Sequence, residues 1–407
     1  MALPHPTHGP DGTIWGMGRQ LFLRGALGLV AIGLLALAQA FSTERMQADL
    51  QALLSQGPRV AGLPATTAAG EYLAAELRKV GYTVEFQPFT YSRTRDQGSS
   101  LLVGTTSFPV SSVAGSPGRR VEGPLAVVPG AGLAADFADL NLQGAIAVVR
   151  RGGIPGLEKA RLAAERGAVG LILLTEEPSG TRFTFGGNSP IPGVTLSQSD
   201  GAGLFSQAGT RAVLDVRIVT EEVQGRNVIA RRSSQNPLVI VGAHYDSVPG
   251  SPGANDNASG TVTVLELARQ LADSPLAAQI WFLFFDGEED GLWGSRRFVE
   301  QNPEIVRGLK GMLNLDMVGV NVNGTLGIGG SGELRALADC NALQVACGSA
   351  PGGGSDHVPF AQAGVPVLFF FRGLDPNYHR PTDTLADPVL MAQTGQVVRG
   401  ILERLLR

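Results

Sequence analysis

The sequence predicts an α/β protein: a three-layer αβα body around a mixed, mostly parallel sheet, carrying a smaller strand-rich insert. Three observations carry this expectation. From Asn227 onward, long apolar strands alternate with helical segments, and strands that apolar are buried on both faces by helices. Between residues 121 and 220 the strands are short and only one clear helix occurs. Polar residues collect where the long strands end, the edge at which open α/β sheets bind ligands. At 407 residues the chain is long enough for two domains or for one with an insertion. Its formal net charge is −4 with no basic block, which gives no electrostatic footprint for nucleic acid.

The expected order begins with a leader, residues 1–40. "GALGLVAIGLLALA", residues 25–38, follows Arg19 and Arg24 and precedes "AQAF". A basic flank, an apolar run of this length and an Ala-x-Ala exit match a secretory signal better than a spanning helix, which needs about 20 residues. Cleavage is expected after Ala40, and Met17 could equally be the start. The alternative is an uncleaved N-terminal anchor over residues 21–41. Both readings export the body of the protein, secreted or periplasmic. Cys340 and Cys347, the only cysteines, have six residues between them. An exported chain permits a disulfide there, and neither belongs to a CxxC pair of the kind that binds metal.

Residues 41–92 form the first part of the larger domain. "TAAGEYLAAELRKVGYTVEFQPF", residues 67–89, has helical spacing from Tyr72 to Val80, then Gly81, then the alternation of a strand. Residues 91–120 are rich in Ser, Gly and Thr and read as a transition. The insert, 93–220, has short strands ("PLAVV", "GAIAVVRR", "GLILL", "VTLS", "AVLDVRIV") around the helix "GLEKARLAAERGA". The main part, 221–407, runs through "NPLVIVGAHYDS", "TVTVLELARQLA", "QIWFLFFDGEE", "LKGMLNLDMVG", "GELRALADC" and "VPVLFFFRG" to a last helix within 387–405.

The chemistry lies at those strand ends. His244 and Asp246 close the first strand, Asp256 sits in "GANDNASG" before a helix, Glu288 and Glu289 close the next, Asp316 ends "MLNLD", and His379 follows the last in "YHRPTDT". Of five histidines, His5 and His8 fall in the leader ahead of its apolar run, which leaves His244, His357 and His379. His357 reads as an ordinary core or surface residue. A carboxylate is not buried without a partner, so these groups either face water or share a cation. Two imidazoles with three carboxylates suit zinc first, then cobalt or manganese. Three ligands would define one open site; five fit two ions if one carboxylate bridges, and Asp256 is the best bridge.

"GAHYDSVPGSPGANDNASG", "FFDGEEDGLWGS", "LNLDMVG", "SDHVPF" and "YHRPTDT" resemble, in that order, the motifs of the two-zinc aminopeptidases of metallopeptidase family twenty-eight. The resemblance is weak over 43–92 and strong over 221–407. "LQGAIAVVRRGGIPGLEKARLAAERGAVGLILLTEEP" and "IPGVTLSQSDGAGLF" resemble a protease-associated domain, which such enzymes commonly carry as an insert. The resemblance implies a zinc-exopeptidase fold and an exported enzyme that hydrolyses the N-terminal bond of peptides by a metal-activated water, with two zinc ions per chain. By the same resemblance, His244 and Asp316 would hold one zinc, Glu289 and His379 the other, and Asp256 would bridge them. Glu288 would be the general base and acid, Asp246 would fix the tautomer of His244, and Tyr378 would donate to the oxyanion. Asp356 would be structural or would support the ligands without binding metal itself, and Asp286 would face solvent or stabilise the turn.

Rival readings remain open at this level. Glutaminyl-peptide cyclases share the fold but use a single zinc and have no need for the first imidazole. Carboxypeptidases of the wider group differ in pockets the sequence does not display. A metal-dependent binding module is the non-enzymatic alternative. The insert reads either as a recruiter of peptides or as a passive cover.

Overall fold

The computed structural model describes residues 41–177, 179–181, 183–350 and 354–407. The expected leader, residues 1–40, lies outside them. No helix among the described residues is long and apolar enough to cross a membrane.

The described chain forms two compact units, one running to Phe89 and again from Gln224 to Arg407, the other Thr90–Val223. The larger contains an eight-stranded sheet. Its central strands, Ile280–Phe285, Val239–His244, Gly311–Leu315 and Val367–Phe371, lie side by side and parallel. The Leu326–Gly330 strand runs antiparallel beside the last of them, and the Ile218–Arg231 strand antiparallel beside the first. The sheet is therefore mixed, with a parallel middle.

Successive side chains of a strand point to opposite faces, and here both faces are apolar. Val239, Val241, Ala243, Phe282 and Phe284 pack on one side with Leu73, Leu77, Val262, Leu265, Val398 and Leu402 from the Pro64–Lys79, Ser259–Leu271 and Pro388–Leu405 helices. Ile240, Trp281, Leu283 and Phe285 pack on the other with Phe298, Val306 and Phe360. Helices thus cover both faces, the three-layer arrangement expected. The Pro64–Lys79 helix starts earlier than the apolar spacing from Tyr72 implies, because Pro64 pre-sets its first turn. "GELRALADC" holds only a single helical turn, Gly332–Arg335. Cys340 and Cys347 are joined by a disulfide with Cα atoms 6.1 Å apart.

The smaller unit holds a nine-stranded sheet among its described residues. Its middle strands, Arg120–Val127, Ile146–Arg150, Gly170–Thr175 and Gly193–Ser197, are parallel. The stretch 91–120, expected as a transition, contains the strands Ser100–Val103, Thr106–Phe108 and Ser111–Ala114. Its Ser and Thr content hid them: in Ser100–Val103 only Leu101 and Val103 are buried, and the apolar run is three residues long. "AVLDVRIV" is likewise two strands, broken between Asp215 and Ile218.

Candidate metal centre

The parallel register brings the strand ends to one level. His244 pairs with Phe285, Gly242 with Asn314, and Leu315 with Phe370, so His244, Asp286, Asp316 and Arg372 all emerge at the same edge. Asp256 reaches it from the stretch preceding the Ser259–Leu271 helix, and His379 from the segment after Val367–Phe371.

Seven of the eight residues singled out from the sequence converge on one small volume, and the eighth supports it. His244 Nε2 lies 3.2 Å from Asp256 Oδ1, 3.5 Å from Asp316 Oδ1 and 3.9 Å from Glu288 Oε2. His379 Nε2 lies 3.2 Å from Asp256 Oδ2 and 3.0 Å from Glu289 Oε2. Asp256 therefore stands between the two imidazoles, one oxygen toward each. His244, Glu288 and Asp316 offer donor atoms within 4.8 Å of one another, and so do His244, Asp256 and Glu289. Geometry alone thus makes Glu288 a possible ligand as well as a base.

Tyr378, the seventh, stacks on His379 with ring centroids 3.7 Å apart. With Asp256, Glu288, Glu289 and Asp316 it lines a cavity of about 340 Å³ whose remaining wall includes Met317, Phe369, Phe371 and Leu374. Met317 and His379 both have positive φ, 55° and 59°, a conformation that costs free energy for residues other than glycine and clusters at functional sites.

Asp246 is the support. It is fully buried, lies 3.4 Å from His244 Nδ1, and accepts the backbone N–H groups of both Glu288 and Glu289 at 3.2 Å. One carboxylate therefore orients an imidazole and both glutamates. Asp316 is aimed similarly: Ser355 donates to its Oδ2 at 2.7 Å, leaving Oδ1 toward His244.

Charges this close perturb one another. Burial drives Glu288 well above the usual carboxylate range, with His244 opposing and Glu289, Asp316 and Asp356 adding to the rise. Burial and then Asp256 push Glu289 up to about 7, against His379. Burial would also raise Asp256, but the two imidazoles hold it below its ordinary value. Burial lowers His379, yet Asp256 and Glu289 outweigh it and lift it to about 10.

Among the buried atoms without a hydrogen-bond partner are His244 Nε2, Asp316 Oδ1, Glu289 Oε1 and His379 Nε2, all on candidate donors of this cluster. Buried polar atoms are nearly always satisfied, so orphans pointing at one volume fit a cation that would share them. Mixed imidazole and carboxylate donors fit zinc.

Two parts of the site escaped the sequence reading. Asp383, inside the quoted "YHRPTDT", accepts the backbone N–H groups of Asn255 (2.8 Å) and Asp256 (3.1 Å) and so holds the segment that delivers Asp256. Asn255 in turn donates to Asp375 and accepts from Gly319. Arg59, outside every quoted motif, is completely buried beneath the same segment. Asp286 is a correction: it does not face solvent. It is 2% exposed and accepts from the Arg226 N–H at 3.0 Å, and burial followed by Asp246 pushes it up to about 8. The strand simply continues its burial one residue past Phe285, where the Asp286 N–H meets Asn227 Oδ1.

Known proteins match this chain in sequence and in fold. The profile of Peptidase family M28 matches residues 227–402, and that of the PA domain matches 121–204. The probable lipoprotein aminopeptidase LpqL of Mycobacterium tuberculosis is 32% identical over 409 aligned positions, covering 86% of this chain and 82% of that protein. An aminopeptidase from Aneurinibacillus sp. strain AM-1 superposes with a TM-score of 0.80 at 30% identity, over 90% of this chain and 94% of that one. BSAP, a zinc aminopeptidase from Bacillus subtilis, superposes with a TM-score of 0.72 at 28% identity, over 90% and 95% of the two chains.

Proposed function

The chain belongs to peptidase family M28, and from that premise we propose that it is an exported, zinc-dependent aminopeptidase holding two metal ions. The observation that supports this best is Asp256 between two imidazoles, each Nε2 3.2 Å from a different carboxylate oxygen. A single ion has no use for a carboxylate placed that way. His244 and Asp316 would hold one zinc, Glu289 and His379 the other, with Asp256 common to both. When bound, zinc supplies Lewis acidity toward water and the scissile carbonyl.

The protein's own groups do the rest. Glu288, partly buried and held well above the usual carboxylate range by desolvation, takes a proton from the attacking water and passes it to the leaving amine. Tyr378 keeps its proton, since burial and the surrounding carboxylates drive its ionisation far above the ordinary phenol range. It is thus a donor available to the developing oxyanion. Asp246 holds His244 by Nδ1 and both glutamates by their backbone. The carboxylates around the cavity receive the free α-amine of the substrate. Export is supported by the Cys340–Cys347 disulfide, a bond of oxidising compartments, and by similarity to a protein named as a lipoprotein.

Metal content and a substrate panel test the reading together. Two zinc ions per chain and loss of turnover on chelation are expected; full activity with one zinc overturns the bridge. Asp256→Ala should lose both metal and turnover. A peptide with a free N-terminus should be cleaved and its N-acetylated form spared, and comparable cleavage of both would rule out an aminopeptidase. Cyclisation of N-terminal glutamine or release of C-terminal residues would favour the rival activities.

A further inference from the structure

Arg59 lies in the link between the Thr43–Leu54 and Pro64–Lys79 helices, far in sequence from the residues matched by the family profile. Its guanidinium is fully buried among acidic groups, yet it hydrogen-bonds only carbonyls. Nε donates to the carbonyl of Tyr245 at 2.7 Å, Nη1 to that of Pro252 at 2.6 Å and Nη2 to that of Gly253 at 2.9 Å. Its backbone is anchored as well: the Arg59 N–H donates to Ser247 Oγ at 2.9 Å, and the Ser247 N–H returns to the Arg59 carbonyl at 3.1 Å. Tyr245 sits between His244 and Asp246, and Gly253 comes three residues before Asp256. One side chain therefore ties the strand end carrying the first imidazole to the loop delivering the shared carboxylate. The fit is close, since a Cβ on Gly253 would lie 2.5 Å from the Asp256 carbonyl oxygen and 3.0 Å from Nη2.

The neighbouring carboxylates of Asp246, Asp383, Asp256 and Glu289 attract a positive charge here. That same charge would repel metal ions held by those carboxylates, so any gain in metal affinity from Arg59 has to come from geometry. A planar fork with donors in fixed directions spans carbonyls on two segments; an ammonium, a point charge, does not. We propose that Arg59 is a positioning residue for the metal centre: by bridging the Tyr245, Pro252 and Gly253 carbonyls it holds Asp256 in register with His244, and raises zinc affinity in spite of its own charge. This rests on the two-metal reading above.

Zinc affinity measured on the full chain by competition with a chromophoric chelator, beside thermal melts of the metal-free protein, tests it. Wild type should take up two zinc ions; uptake of none removes the metal reading itself and leaves Arg59 nothing to position. R59K and R59M should each fold and bind zinc about 10- to 100-fold more weakly, the usual cost of losing a group that orients ligands. Equal or tighter binding by R59M overturns the proposal, because loss of a repelling charge alone would produce it. Wild-type affinity in R59K also overturns it, since charge rather than the fork would then be what matters. A purely structural role would lower the melting temperature of the metal-free protein and leave the affinity of the folded fraction unchanged. Should R59M not fold, Ser247→Ala keeps the guanidinium and removes one of its two backbone anchors, the bond to Ser247 Oγ. A loss of about tenfold in zinc affinity there supports positioning, and unchanged affinity overturns it.

Discussion

Each unit has a parallel strand in its core, Val239–His244 buried throughout in the larger and Ile146–Arg150 buried up to its exposed last residue in the smaller, and the two end differently. In the smaller unit the chain emerges into self-contained turn chemistry. Arg150 lies over the Phe205 ring at 4.3 Å and Arg151 over Phe183 at 4.4 Å. On neighbouring strands Thr175 Oγ1 donates to the Glu177 carbonyl and Ser197 Oγ to Asp200. In the larger unit His244, Asp286 and Asp316 remain buried at the corresponding ends, and two of them keep atoms facing one another with no hydrogen donated between them. The same strand architecture thus yields a satisfied turn in one place and an unsatisfied donor set in the other. What separates a site from a turn is the missing partner, not the presence of polar residues.

That contrast is broken most sharply at the adjacent glutamates. Glu288→Gln keeps the shape of the site and the proposed ligand set but removes the proton carrier, so turnover should fall by about 10²- to 10⁴-fold with both zinc ions retained. Glu289→Gln removes an anion of the donor set, so metal occupancy should fall along with activity. Arg150→Ala and Ser197→Ala, at strand ends of the smaller unit, should leave hydrolysis of a small aminoacyl anilide near the wild-type rate. Steady-state kinetics with metal analysis on all four variants decides. Metal loss from Glu288→Gln matching that from Glu289→Gln would make Glu288 a ligand, which the 4.8 Å clustering with His244 and Asp316 permits.

How far the sequence could be read follows from the same physics. The central strands were legible because both faces are apolar, so that "VIVGAH" and "IWFLFF" carry an unbroken signal. The candidate donors were legible because imidazoles and carboxylates are out of place at the end of such runs. Ser100–Val103 and its neighbours were not, since strands of three or four residues set among Ser, Thr and Gly have the composition of a loop. Arg59 was illegible for another reason: its partners are backbone carbonyls nearly two hundred residues away, and carbonyls leave no mark in a sequence. Asp383 had a mark, its place in "YHRPTDT", but its role depends on two backbone N–H groups that only the fold brings to it. For Asp286 the solvent-facing alternative fails, because adjacency to an acidic turn suggested water whereas the strand register keeps it inside.

A second expected difference concerns the cores. Phe282, buried and edge-on to Tyr82 at 5.7 Å, lies in the core beneath the candidate site. Ile172 lies in a separate core of the smaller unit. Phe282→Ala should cost about 3–5 kcal/mol and Ile172→Ala about 2–5 kcal/mol. If the units carry separate cores in energetic terms too, Phe282→Ala lowers the melting transition that coincides with loss of anilide hydrolysis, and Ile172→Ala lowers another. Calorimetry with parallel activity decay would show this, and one shared transition moved equally by both variants would show a single cooperative body.

The smallest expected effect is acid sensitivity, because carboxylates in the two units are held below their ordinary range by different partners. Glu266 in the larger unit has a fully buried side chain; it accepts from Arg45 Nε at 2.8 Å, Gln270 Nε2 at 2.9 Å and the Ser42 N–H at 3.2 Å. Burial works upward on it, but these donors prevail and lower it from 4.5. Asp96 in the smaller unit accepts from the Gly98, Ser99 and Ser112 N–H groups, which likewise outweigh burial and lower it from 3.8. A carboxylate depressed in the folded state binds a proton more readily when unfolded. Its contribution is therefore complete above the unfolded value and disappears as pH falls through the folded one. Melting temperature should accordingly decline on acidification from about pH 5 to about pH 3.5. Glu266→Gln, which has no proton to gain, should start lower at neutral pH and decline less, while Asp96→Asn should do the same only for the transition that Ile172→Ala moves. An acid dependence in Glu266→Gln as steep as in wild type would mean that other carboxylates, not this one, carry the effect.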